Sequence, residues 1–259
     1  MGGVSLGGLA LAALCAGWVD AVIGGGGLIL VPVLLAFVPG IAPVGALATN
    51  KAVGVTGTLS AAVRLLAHTR PKGKLLPILV VVAGLAAAGG ALVAGLFPAH
   101  LMRPIVIVLL LSAGIVVVMR PRFGQSACVK TPTVLALLGL GAVVMALGFY
   151  DGIFGPGTGM FLIMALTAVL GGDLVRSAAM TKAINAATNL GALAVFIAGG
   201  HVVWKLALVL MVANIVGAQL GARTVIAGGA RLVRVALLIF VVVMASYLGW
   251  MQWGSGVMG

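Results

Sequence analysis

At 259 residues, 63% hydrophobic and 7% charged, the chain lacks the roughly one-quarter charged content of a soluble globular protein. Apolar runs of about 20 residues recur along it, each enough to cross a bilayer, and they are continuous rather than alternating, which excludes a β-barrel. The net charge of +12 sits mainly in short loops, where it sets topology and meets anionic headgroups, so no nucleic-acid partner is implied.

In chain order, residues 4–22 predict an apolar helix ending at Asp20. No basic region precedes it, so it reads as a retained helix rather than a cleaved signal. Gly24, Gly25, Gly26 and Gly27 then break it, because glycine tolerates unwound backbone. Residues 28–38, with Pro32, cover roughly half a bilayer core and read as a half-helix. After a turn over 39–43, a long helix is expected from about 45 to 67, with Thr49, Asn50 and Lys51 in its first turns. Its Asn50, Gly54, Gly57, Ala61, Arg64 and His68 share one face suited to close packing. A basic linker over 68–74 leads to helices at about 75–96 and 101–119, and a loop over 120–132 carries Arg120, Arg122 and Lys130.

The same order then returns. A helix over about 133–150 ends at Asp151, and Gly152, Gly155, Pro156, Gly157 and Gly159 interrupt it. A short piece over 160–170, a turn over 171–173, a polar-started helix over 177–198 and two helices near 203–225 and 231–250 complete the chain. The copies are in register at an offset of 131 (151 − 20): Asp20 falls on Asp151, Gly24 on Gly155, Gly26 on Gly157, Lys51 on Lys182, Lys74 on Lys205, Gly90 on Gly221 and Arg103 on Arg234. The expected architecture is therefore an all-α polytopic membrane protein, one integral membrane domain of two repeats, 1–124 and 125–259, with five helical elements each. The positive-inside rule favours inverted halves, since an odd number of crossings per half collects most basic loops on one side.

Inverted repeats with interrupted helices place transport sites near the midplane. A glycine-rich break opening a half-helix aims backbone N–H groups and the positive dipole end at one place, which suits an anion. The candidate substrate-binding residues are Lys51 and Lys182, with Thr49, Asn50, Thr181, Asn185 and Asn189, and the break residues Gly24, Gly25, Gly26, Gly27, Gly155, Gly157, Thr158 and Gly159. Snorkelling of the lysines to headgroups and plain interhelical bonding of the asparagines are the competing readings. Asp20 and Asp151 are either counter-ions for the lysines or proton carriers. Asp173 reads as a turn or helix-start residue. His68, His100 and His201 form no metal constellation, Cys15 and Cys128 are isolated, and no nucleophile–base pair stands out. Neither an enzyme nor a cofactor is expected.

With Thr49-Asn50-Lys51 and the motif from Gly148 through Tyr150, Asp151, Gly155, Pro156, Gly157 and Gly159 in view, the chain resembles the TauE/SafE family of sulfite exporters over about residues 6–250. The resemblance implies a multi-pass bacterial or archaeal inner-membrane protein of about eight spans. It further implies proton-driven export of sulfite, a sulfonate or another small anion. A membrane-embedded accessory protein without transport activity is the alternative. Beyond its substrate and the bilayer no partner is implied, and a homo-oligomer is compatible with the sequence.

Overall fold

The computed structural model describes residues 6–95, 132–171 and 174–253, from 229 onward as backbone alone. Among these residues there are eight helices and no strand: α1 (Leu6–Ile23), α2 (Gly26–Phe37), α3 (Pro43–Thr69), α4 (Leu75–Ala94), α5 (Val134–Ile153), α6 (Thr158–Leu170), α7 (Leu174–Ala198) and α8 (Trp204–Trp253). Five carry a stretch long and apolar enough to cross a membrane: α1, α4, α5, α7 and the Trp204–Gly228 part of α8. The chain is a multi-pass membrane protein. The expected helix over 101–119, the loop over 120–132 up to residue 131, Arg103, His100, Cys128 and Asp173 lie outside the described residues.

Burial is distributed as in a protein dissolved in lipid. Leu85, Leu135 and Leu138 are exposed, whereas Lys51, Lys182, Thr49, Thr188 and Asn214 are buried. Apolar side chains gain little from leaving a hydrocarbon solvent, so helices associate by close backbone approach and polar contacts. Small residues at four-residue spacing supply that approach. Gly217 and Gly221 of α8 lie against Leu14 and Trp18 of α1, and Gly148 and Gly152 of α5 lie against Ala83 and Ala87 of α4. A methyl added at Gly148 would stand 2.8 Å from the Ala83 carbonyl oxygen.

The contacts also give helix directions. Asn214 bonds Ala13 while Trp18 bonds Thr224, so α1 and α8 run the same way. Gly57 faces Asn214 while Ser60 and Arg64 both bond Gln219, so α3 runs with α8 too. In α4 and α5, Ala83 meets Gly148 and Ala87 meets Gly152, again a common direction. The connection over residues 70–74 reaches at most about 20 Å, short of the roughly 30 Å length of α4, so α4 returns against α3. Hence α1 and α5 run in opposite directions, and α2, between the co-directional α1 and α3, leads the chain back toward the side from which α1 starts.

Two expectations need correction. Only Gly24 and Gly25 are unwound in the first break, because Gly26 and Gly27 already belong to α2. Helices near 203–225 and 231–250 are expected, yet α8 runs unbroken through Gly228 and Gly229. A glycine in a helix costs only about 1 kcal/mol relative to alanine, so a pair without proline does not compel a break. The long helices also begin earlier than expected: α3 starts at Pro43, whose missing N–H is harmless in the first turn, which moves Lys51 inward to the third turn.

Candidate functional site

Both breaks turn on a glycine in the left-handed region, Gly24 at φ +80° and Gly155 at φ +87°, 131 positions apart. A side chain at either would be strained there, and a methyl on Gly155 would stand 2.7 Å from Lys51 Nζ. Gly24 also packs on the backbone of Gly159, which brings the two broken helices together. The Tyr150 hydroxyl donates to the Pro156 carbonyl at 2.9 Å and Thr158 Oγ1 to the Gly155 carbonyl at 2.8 Å, closing the second break on itself.

The charged residues meet in two pairs, each joining one half of the chain to the other. Lys51 Nζ donates to Asp151 Oδ2 at 2.7 Å, with side chains 2% and 6% exposed. Lys182 Nζ donates to the main-chain carbonyl of Asp20 and lies 3.3 Å from Asp20 Oδ2. The Asp20 side chain is 18% exposed, and its Oδ1 accepts from the Gly26 N–H at 3.2 Å. A tethered carboxylate thus occupies the positive end of α2, the place where the sequence pattern leads one to expect an external anion. Charges this deep persist because each has a partner, so the four together are near neutral.

Between the pairs lies a cavity with about 40 Å³ of free space, room for roughly three waters. Asp20, Gly24, Gly26, Gly27, Asn50, Lys51, Asp151, Gly155, Asn185 and Asn189, all anticipated from sequence, line it. The remaining candidates do not. Lys182 is fully buried in its pair with Asp20. Thr49 Oγ1 accepts from the Val203 N–H at 3.2 Å, tying α3 to the start of α8. Thr181 is buried among packed helices, and Gly25, Gly157, Thr158 and Gly159 shape the breaks without facing the cavity. The pairing removes the snorkelling reading for both lysines, since neither ammonium reaches a surface.

Gly54, expected from sequence as a packing position, and Thr58 and Asn214, not singled out from sequence, also line the cavity. Thr58 Oγ1 accepts from Asn189 Nδ2 at 3.5 Å, and the two positions are related by the repeat offset of 131. Asn214 Nδ2 donates to the Ala13 carbonyl at 2.9 Å, fastening α8 to α1 beside the site. The available signal was Asn214 itself, an amide in an otherwise apolar run, which in a membrane helix marks the bundle interior.

A family model described as "Sulfite exporter TauE/SafE" matches residues 9–248. A probable membrane transporter protein, ORF9, of Sinorhizobium sp is 36% identical over 244 residues, covering 92% of this chain and 89% of its own. YfcA of Escherichia coli K12, also named a probable membrane transporter protein, is 33% identical over 245 residues, covering 94% and 89%. A probable membrane transporter protein of Haemophilus influenzae is 34% identical over 239 residues, covering 91% and 92%. No solved structure matches the chain. With the family model spanning nearly the whole chain and relatives above 30% identity along almost their full length, the chain belongs to the TauE/SafE family of membrane transporters.

Proposed function

We propose that this protein is a proton-coupled secondary transporter that exports a small oxyanion of the sulfite or sulfonate class. The observation that carries the reading is the cavity at two broken helices where Lys51 meets Asp151 and Asp20 meets Lys182 across the halves. Lys51 is the ammonium that the substrate reaches, joined by the amides of Asn50 and Asn189. An arriving anion competes with Asp151 for Lys51. A carboxylate that loses its cation takes up a proton more readily, so anion binding and proton uptake are linked. By that linkage, anion affinity rises as pH falls.

The halves are an inverted duplication, a reading supported by the opposite directions of α1 and α5 and by repeat-related pairings: α1 on α8 as α5 on α4, and α3 on α8 as α7 on α4. With these directions Arg64, Arg70, Lys72, Lys74, Arg176 and Arg223 gather at one end and Lys205 at the other, so the first end is cytoplasmic by the positive-inside rule. Proteoliposomes containing the purified protein and loaded with sulfite test the function. Efflux that accelerates when a proton gradient is imposed supports coupled transport. Efflux no faster than from protein-free vesicles, for sulfite and simple sulfonates alike, contradicts it and favours an accessory role.

A further inference from the structure

We propose that the edge between α3 and α8, at the end assigned to the cytoplasm, binds the phosphate of an anionic phospholipid through Arg64 and Arg223. The inference concerns the protein's hold on the bilayer and is independent of what the cavity carries. Arg64 is half-buried and lies five residues before the end of α3 (69 − 64), about 7.5 Å along the helix from that end. Its Nη1 donates to Gln219 Oε1 at 2.9 Å, and Gln219 Nε2 donates to the Ser60 carbonyl at 2.9 Å. The amide is thereby fixed with its oxygen toward the guanidinium, whose planar fork is held in one orientation and keeps further donors for a ligand. Arg223, exposed, stands one turn beyond Gln219 on the same side of α8. Among the described residues no carboxylate pairs with either arginine, since Asp20 and Asp151 are both taken by lysines at the cavity.

The surroundings say which anion fits. Leu59 and Val63 of α3 and Val216 and Leu220 of α8 flank the cluster and are exposed, so this edge faces acyl chains. Two cations there repel each other and are costly unless an anion covers them. A phosphodiester at headgroup depth supplies the charge and a pair of oxygens matched to the guanidinium fork, while its acyl chains lie on the flanking apolar side chains. A free oxyanion supplies the charge and leaves the apolar flanks bare. The other end of the bundle gives the comparison. At the spacing of 131, Ser60, Arg64, Gln219 and Arg223 correspond to Gly191, Val195, Ala88 and Leu92, all of which line an apolar groove between α4 and α7. There Gly191 packs directly on the backbone of Gly84, so close packing of such an edge needs no arginine. The charges are present only at the end that the basic residues assign to the cytoplasm.

Lipid titrations of the purified full chain in a neutral detergent, read by native mass spectrometry, test this with dioleoyl phosphatidylglycerol, dioleoyl phosphatidylcholine and inorganic phosphate. Phosphatidylglycerol should bind at least about tenfold tighter than phosphatidylcholine, whose choline offsets its phosphate, and inorganic phosphate should not displace it. Arg64→Gln and Arg223→Gln together should weaken phosphatidylglycerol at least about tenfold. Arg70→Gln and Lys72→Gln together, in the exposed connection after α3, should change it less than about twofold. If the first pair does not fold, Arg223→Gln alone, at an exposed side chain, carries the test with about fivefold weakening. Equal affinity for the two lipids overturns the inference. So does equal weakening by the two pairs, which would show unspecific attraction to a basic surface. Displacement of the lipid by inorganic phosphate also overturns it and makes the cluster a site for free oxyanions.

Discussion

Lys51 and Lys182 stand 131 positions apart, at the spacing expected of a repeat, yet hold different places in the site. Lys51 faces both the cavity and Asp151, whereas Lys182 is enclosed and holds the backbone of Asp20 in place. Lys51→Gln should therefore abolish anion-dependent stabilisation in a thermal-shift assay while the protein still folds. Lys182→Gln, whose partner carboxylate is 18% exposed, should keep that anion-dependent stabilisation; both substitutions lower stability itself, Lys51→Gln the more, by about 3–5 kcal/mol, because it strands the buried Asp151. The carboxylates divide in the same manner. Asp151→Asn should bind the anion as tightly or more tightly, with affinity nearly independent of pH, since the group that takes up the proton is gone. Asp20→Asn keeps an acceptor for the Gly26 N–H and should retain the wild-type rise in affinity as pH falls. Titration calorimetry at several pH values separates the two. The lysines and acids were visible in the sequence because charge inside apolar runs is rare. That the acids pair with lysines was one of two expected readings, but which lysine each meets was not legible, because Asp20 lies nearer Lys51 along the chain while the folded protein bonds it to Lys182, and Lys51 to Asp151.

At the scale of elements, the breaks and half-helices were legible because glycine and proline interrupt otherwise continuous apolar runs. Their bounds shifted by a few residues, since the glycines of the first break are shared between an unwound corner and the first turn of α2. The continuity of α8 was not legible, because Gly228-Gly229 beside two arginines reads as a turn when only local preference is weighed. Close helix packing was anticipated on α3, and Gly54 and Gly57 do face Asn189 and Asn214. The paired seams on α5 and α8 emerge only when the helices meet. Gly217→Val and Gly152→Val, one in each seam, should each lower thermal stability by several degrees and reduce the folded yield. Gly139→Ala, with nothing within 4 Å of an added methyl, should leave the melting temperature unchanged. Equal effects at all three positions would contradict the packing account.

Over the whole molecule, the matched spacing at an offset of 131 and the charge bias lead one to expect inverted halves, and the opposite directions of α1 and α5 support that reading. The helix contacts are compatible with it: α2 leads the chain back along α1, and α3 runs in the same direction as α1. Reporter fusions at Gly73 and Gly228 should both report the cytoplasm and a fusion at Gly200 the opposite side. A cytoplasmic signal at Gly200 would contradict the assigned directions. The central claim is that an anion displaces Asp151 from Lys51 and that the freed carboxylate takes up a proton. The most direct measurement is proton uptake on anion binding, read with a pH indicator in weakly buffered protein, for the wild type and for Asp151→Asn. The account predicts that sulfite, added at a mildly acidic pH where it is already singly protonated, brings proton uptake by the wild type beyond a protein-free control and none by the variant, although the variant still binds. Anion binding with no proton uptake by the wild type, or uptake undiminished in Asp151→Asn, would contradict it.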